Sequence, residues 1–175
     1  MGKKIGSFLK RKGSGRAAAF LLAVTMLTGC GGGAAEPPKL TGSCEEILNE
    51  VYEKAKLDEG LREAMETGYY ETAAIDESMK EYFLGTNEVE YTDSVCSVPM
   101  MSSTAYQCVI LRVPEGTDVV KTKQLLLDNA DPRKWICVEA ESVVVESVGD
   151  VILYLMADQA TADAVKDAFL SLSES

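Results

Sequence analysis

Ser142-Val143-Val144-Val145-Glu146-Ser147-Val148-Gly149-Asp150-Val151-Ile152-Leu153-Tyr154-Leu155-Met156-Ala157 is the stretch that decides the fold class. Two runs rich in β-branched and large apolar residues flank Gly149-Asp150, a two-residue linker of the kind that makes a primed hairpin turn. Directly after it, Asp158 is placed to cap a helix whose apolar stripe is Ala164, Val165, Ala168, Phe169 and Leu172. The unit is therefore a hairpin followed by a helix.

The same unit is legible one step upstream. Val89 to Met100 and Ala105 to Val113 read as a strand pair joined by Met101-Ser102-Ser103-Thr104. Pro99 cannot donate to a ladder and belongs at an edge, a bulge or the strand end. Pro114-Glu115-Gly116 closes the second strand, and Thr117 or Asp118 caps a helix expected to bury Val119, Val120, Leu125, Leu126 and Leu127. Further upstream, Ser43-Cys44-Glu45-Glu46 reads as a capping box opening a helix. Its apolar face carries Cys44, Ile47, Leu48, Val51, Tyr52 and Ala55. A second short helix starts at Asp76, is expected to turn Met79, Tyr82 and Phe83 inward, and stops at Gly85 as the left-handed residue. Residues 57 to 72 are weakly patterned and read as an irregular loop with at most a helical turn. The order α, α, β, β, α, β, β, α predicts an α+β domain over 43–175. It has a mostly antiparallel sheet of about four strands, made of two hairpins each followed by a helix, with the helices, the N-terminal ones included, packed on one face.

The front of the chain has a different character. Six of the 17 basic residues precede Cys30 and none of the 28 acidic ones does. A basic segment ending at Arg16, an apolar run from Ala17 to Leu27, and Leu27-Thr28-Gly29-Cys30 follow in the order of a secretory signal peptide. The apolar run falls short of the roughly 20 residues a transmembrane helix takes. Small residues directly before a cysteine resemble the bacterial lipobox, in which the thiol receives a diacylglycerol and cleavage falls just before it. The expectation is thus a signal peptide over 1–29, cleavage between Gly29 and Cys30, and lipid attachment at Cys30. The alternative is an ordinary secreted protein in which Cys30 is incidental. Two acyl chains, at about 0.8 kcal/mol per buried CH₂, suffice for stable anchoring. Residues 30–42, with three glycines after Cys30 and two prolines, read as a flexible tether. From Gly31 to Ser43 the chain reaches at most roughly 45 Å, at about 3.5 Å per residue. This places the protein on the extracytoplasmic face of a cell membrane.

Composition removes several function classes. After the leader, 11 basic residues face 28 acidic ones, an excess that opposes binding nucleic-acid phosphates. The chain has no histidine, which excludes histidine-based triads, His-ligated zinc and histidine pH switches. Cys44, Cys96, Cys108 and Cys137 contain no Cys-x-x-Cys pair, against a thioredoxin-like site. Cys96 and Cys108 are symmetric about Ser102, so a hairpin centred there would set them opposite one another as a candidate disulfide. Otherwise they are small buried hydrophobes. Glu139, Glu141 and Glu146, or Asp158 and Asp163, are carboxylates that in principle hold a cation or form an acid/base pair, but nothing aligns them, and a solvated acidic face with helix caps is the favoured account. Met100-Met101 are expected to fill the core beside the sheet in preference to forming a soft contact surface, while Trp135 and Tyr106 suit either a contact surface or the core. No catalytic, metal or cofactor residue is indicated.

Ile75-Asp76-Glu77-Ser78-Met79-Lys80-Glu81-Tyr82-Phe83-Leu84-Gly85, Val98-Pro99-Met100-Met101, Val109-Ile110-Leu111-Arg112-Val113 and Gly149-Asp150-Val151-Ile152-Leu153-Tyr154 resemble the clostridial lipoprotein domain-of-unknown-function family 4358. The resemblance spans roughly residues 44 to 172. It implies a small extracytoplasmic lipoprotein with a closing hairpin and helix, and it brings no catalytic residues with it. The chain departs from the family pattern in its longer segment at 57–72 and in its strand-region cysteines. Together these readings give a membrane-anchored, non-catalytic protein that contacts an envelope protein or wall polymer. The alternatives are a carboxylate-based hydrolase and small-ligand capture for a transporter.

Overall fold

A computed structural model describes residues 39–101 and 103–174. The Gly29–Cys30 cleavage and lipidation site, and all of the tether but its last few residues, lie outside the described residues. The fold is α+β with a five-stranded antiparallel sheet, one strand and one helix more than the sequence suggested. Helix α1 is Cys44–Lys54, α2 Glu59–Glu66, α3 Lys80–Leu84, α4 Val119–Asp128 and α5 Gln159–Ser171. The strands are β1 Tyr70–Ala73, β2 Asp93–Pro99, β3 Gln107–Arg112, β4 Ser142–Val148 and β5 Val151–Ala157, in the order β1-β2-β3-β5-β4.

The helix starts follow local chemistry. Ser43 and Glu46 form a complete capping box, while Asp58, Asp118 and Asp158 each accept a first-turn backbone N–H at the starts of α2, α4 and α5. In the β4–β5 hairpin Val148 pairs with Val151 and Gly149 takes φ 58°, at the position where a type II′ turn favours glycine. Residues 57–72, expected to be a loop, instead supply α2 and the edge strand β1. Helix α2 buries no residue fully, and β1 is exposed along three of its four positions. Neither therefore leaves a strong hydrophobic period in the sequence.

Helices cover both faces of the sheet, not one. On one face α1 and α5 pack through Ile47, Leu48, Val51, Val165 and Phe169 against Val95, Cys108, Ile110, Leu153 and Leu155. On the other, Leu84 of α3 and Leu126 of α4 pack with Cys96, Val109, Leu111, Ile152 and Tyr154. Strand β5 is consequently buried at every position, as a central strand covered on both sides must be. Two helices also differ from expectation in what they bury. In the Asp76–Gly85 segment Met79 and Tyr82 are 41% and 54% exposed, while Leu84 and the stem of Lys80 point inward. In α4 Val120 and Leu127 face solvent, leaving Leu126 as its fully buried residue. Both helices are short and lie across a sheet, so the side each presents is set by docking angle and not by composition.

The first turn of α1 is fixed to one end of the sheet. Asp93 Oδ2 accepts from the Cys44 backbone N–H at 2.7 Å. Arg112 donates to the carbonyls of Leu40 and Gly42 at 3.1 and 2.9 Å, and pairs with Asp150 at 3.1 Å. The chain thus joins the domain beside the β4–β5 turn, and α1 runs from there toward the opposite end of the sheet.

Candidate functional site

The register of β2 and β3 settles the cysteine pair. Cys96 stands opposite Val109, and Cys108 opposite Ser97. This is one residue away from a hairpin centred on Ser102, and a slip of one residue sends a side chain to the other face. Cys96 belongs to the cluster under α3 and α4, Cys108 to the cluster under α1 and α5, and both are free thiols. The candidate disulfide is therefore corrected to two separately buried thiols. Burial pushes the thiols of Cys44 and Cys108 up to about 12 and raises that of Cys96 as well, so they are poor nucleophiles.

The carboxylates singled out in the sequence do not converge. Glu141 accepts from the Gln159 backbone N–H at 3.1 Å, Glu146 pairs with Lys123 at 2.8 Å, Asp158 caps α5, and Asp163 pairs with Lys166 at 2.9 Å. Among the described residues no group of three or more His, Cys, Asp or Glu side chains is placed to hold a metal ion. Met100 and Met101, expected in the core, are instead solvent-exposed where the chain leaves the end of β2, while Tyr106 is buried and Trp135 partly buried. Lys134 is drawn inward near Trp135. Its Nζ donates to Gln107 Oε1 and to the Tyr82 carbonyl, and lies 4.4 Å from the Tyr82 ring centroid. Burial lowers its amine to about 8. These bonds tie the 131–136 loop to β3 and α3, leaving the amine committed to structure.

The residues that do converge lie at the far end of α1, where α1, α2, β1 and β2 enclose a pocket of about 420 Å³. Its floor carries Ser97 of β2 and Tyr52 of α1. The Tyr52 and Tyr106 hydroxyls are 2.8 Å apart, and burial raises both phenols well above their usual range. The Ser97 hydroxyl is close enough to influence Tyr52, but it makes no hydrogen bond of acceptable geometry. It is the one buried side-chain polar atom among the described residues that lacks a partner. Arg62 of α2 reaches back across the pocket to the end of α1, donating to the Ala55 carbonyl at 2.8 Å and the Tyr52 carbonyl at 3.5 Å. It thereby satisfies carbonyls that a helix end leaves open. Tyr70 of β1 forms a wall, its ring edge-on to Tyr106 with centroids 5.1 Å apart. Leu57 and Met65 add apolar surface, while Asn49, Glu53, Glu66 and Thr72 form a polar rim. On the other side of Tyr70 and Leu57 a second hollow of about 350 Å³ runs to Asp158 and Thr161.

Sequence reasoning missed this site because more than half of its lining comes from residues 57–72, which carry little pattern. The available signals were Asp58 as a cap for α2 and the aromatic pair Tyr69-Tyr70 after Gly68. No family model matches the chain, and neither a curated protein nor a solved structure matches it.

Proposed function

We propose that this chain is a membrane-anchored extracytoplasmic lipoprotein that acts by binding an envelope component, with Cys30 as its lipidated residue and the pocket at the end of α1 as its contact site. The resemblance to family 4358 belongs to the same proposal. One observation carries the reading. The chain joins the domain where Arg112 holds Leu40 and Gly42, and Ser97 and Tyr52 of the pocket lie toward the other ends of β2 and α1. A helix of 11 residues rises about 16 Å, so the pocket lies well away from the Leu40–Gly42 junction. A domain held at one end and concave at the other suits reaching toward a partner. Glu53 and Glu66 both line the pocket, so a carboxylate-based hydrolase is the second reading, but both side chains are exposed to solvent at the rim and not set in the floor.

The test is membrane fractionation with in-cell cross-linking of wild type and Cys30→Ala. The proposal expects the wild type in the membrane fraction with a cross-linked envelope component, and loss of both in the variant. Wild-type protein found uncut and unlipidated in the culture medium refutes it.

A further inference from the structure

We propose that the pocket between α1, α2 and β1 is a saccharide site, taking an uncharged polyhydroxylated ring of the kind found in wall polymers; this rests on the binding role proposed above and specifies its ligand. The first ground is the floor. Ser97 is 0% exposed, lines the pocket and has an unpartnered hydroxyl. A buried polar atom without a partner costs about 1–3 kcal/mol, so native proteins rarely keep one unless something else satisfies it. A hydroxyl or a water carried in by the ligand does so here after a small shift of the lining side chains, since the Ser97 hydroxyl is fully covered in the unliganded domain.

The second ground is the rim. Asn49, Glu53, Glu66 and Thr72 make no side-chain hydrogen bond or ion pair with any described residue. Arg62 has committed two of its five N–H donors. The site therefore presents acceptors and donors side by side that no protein group occupies and that a ligand can take over from water. A sugar hydroxyl is both donor and acceptor, and a ring bearing several of them matches such a mixture.

Charge narrows the choice further. An anionic ligand would meet Glu53 and Glu66, a penalty an uncharged one avoids, and the Arg62 guanidinium offsets part of the attraction the two carboxylates hold for a cation. The third ground is shape. Tyr70 offers a partly exposed ring, with Leu57 and Met65 beside it, against which the C–H face of a pyranose can lie. The volume of about 420 Å³ is within the range of small-ligand pockets, about 300–1,000 Å³.

The experiment is calorimetric titration of the mature lipidated protein in detergent micelles with the N-acetylglucosamine tetramer and with maltotetraose. Choline and glutarate serve as cationic and anionic probes, and the saccharide is analysed for cleavage afterwards. Saturable binding of at least one saccharide is expected, with no response to choline or glutarate. Glu66→Gln and Thr72→Val should each weaken it about three- to tenfold, the range for one hydrogen bond. Ser97→Ala removes no existing bond, so it should fold with an unchanged or higher Tm while weakening the saccharide by a similar factor. Four outcomes overturn the proposal: no saccharide binding at millimolar concentration, binding of choline or glutarate in its place, affinities unaltered in all three variants, or cleavage of the saccharide. The lipoprotein reading fails separately, through the membrane fraction and the Cys30-dependent cross-link, neither of which requires an occupied pocket.

Discussion

Raising the pH from 8 to 10 should destabilise this domain sharply, and the buried thiols set the size of the effect. Cys44, Cys96 and Cys108 are 0%, 4% and 0% exposed, and burial raises each thiol above its ordinary value of 9.0, to about 12 for Cys44 and Cys108. A raised folded-state value means the folded chain keeps the proton after the unfolded chain has lost it. The stability this represents is whole below pH 9 and drains away above it. At pH 10 each thiol accounts for about 1.4 kcal/mol, and the three together for about 4 kcal/mol. Tyr52, Tyr106 and Tyr154, raised from 10.0 by burial, add about 1 kcal/mol of loss, because pH 10 only reaches their unfolded midpoint.

Lys134 acts in the opposite sense. Its amine is lowered from 10.5 to about 8, so the folded chain sheds a proton that the unfolded chain retains, and stability rises across this window by about 2 kcal/mol before solvent screening trims it. The net loss is about 3 kcal/mol, a large part of the 5–15 kcal/mol of an ordinary domain and equivalent to roughly 10 °C in Tm. The assay is thermal and urea unfolding at pH 8 and pH 10, at constant ionic strength with a non-thiol reductant. Cys108→Ala, measured in parallel, should flatten the pH slope by about one thiol's share. Stability that holds or rises from pH 8 to pH 10 would refute the argument.

Other expectations are more local. Cys137 is the only exposed one of the four described thiols, so a bulky disulfide reagent should titrate one thiol in the folded domain and four after unfolding; two after unfolding would restore the Cys96–Cys108 bridge. Gly85 takes φ 74° at the end of α3, and a Cβ there would overlap the Asn129 backbone carbonyl, so Gly85→Ala should cost more than about 3 kcal/mol in urea unfolding, beyond the 1–2 kcal/mol of the left-handed conformation alone. A value near 1 kcal/mol would mean that α4 yields easily. Arg112→Ala removes the bonds to Leu40 and Gly42, and limited proteolysis should then cut within residues 39–43 several-fold faster with the core still folded. Tyr106→Phe strips Tyr52 of its hydroxyl partner and should destabilise by about 1–3 kcal/mol, read from the urea midpoint.

The parts legible in the sequence were those whose cause is local. The Ser43 capping box, the Asp118 and Asp158 caps, the left-handed Gly85 and the Gly149-Asp150 turn each depend on a few neighbouring residues, and each stands where the sequence put it. The α+β class followed, because two hairpins interleaved with amphipathic helices admit few other arrangements. The leader proposed for residues 1–29 rests on equally local signals: charge, apolar length and the residues before Cys30.

Only the tertiary structure decided the rest. The unbroken apolar run of Val151–Ala157 signals a strand buried on both faces, yet a run alone does not say what covers it; α3 and α4 do, with Leu84 and Leu126 chosen by how those helices dock. Register decided the cysteines, since one residue of slip turns a facing pair into thiols on opposite sides of the sheet. The pocket needed both lessons together. Its floor comes from α1 and β2 and its lip from the weakly patterned α2 and β1, so Ser97, Tyr52, Arg62 and Tyr70 become neighbours only once the sheet has formed and the edge strand has paired. Contacts between residues distant in sequence are set by packing geometry, which a one-dimensional pattern does not carry.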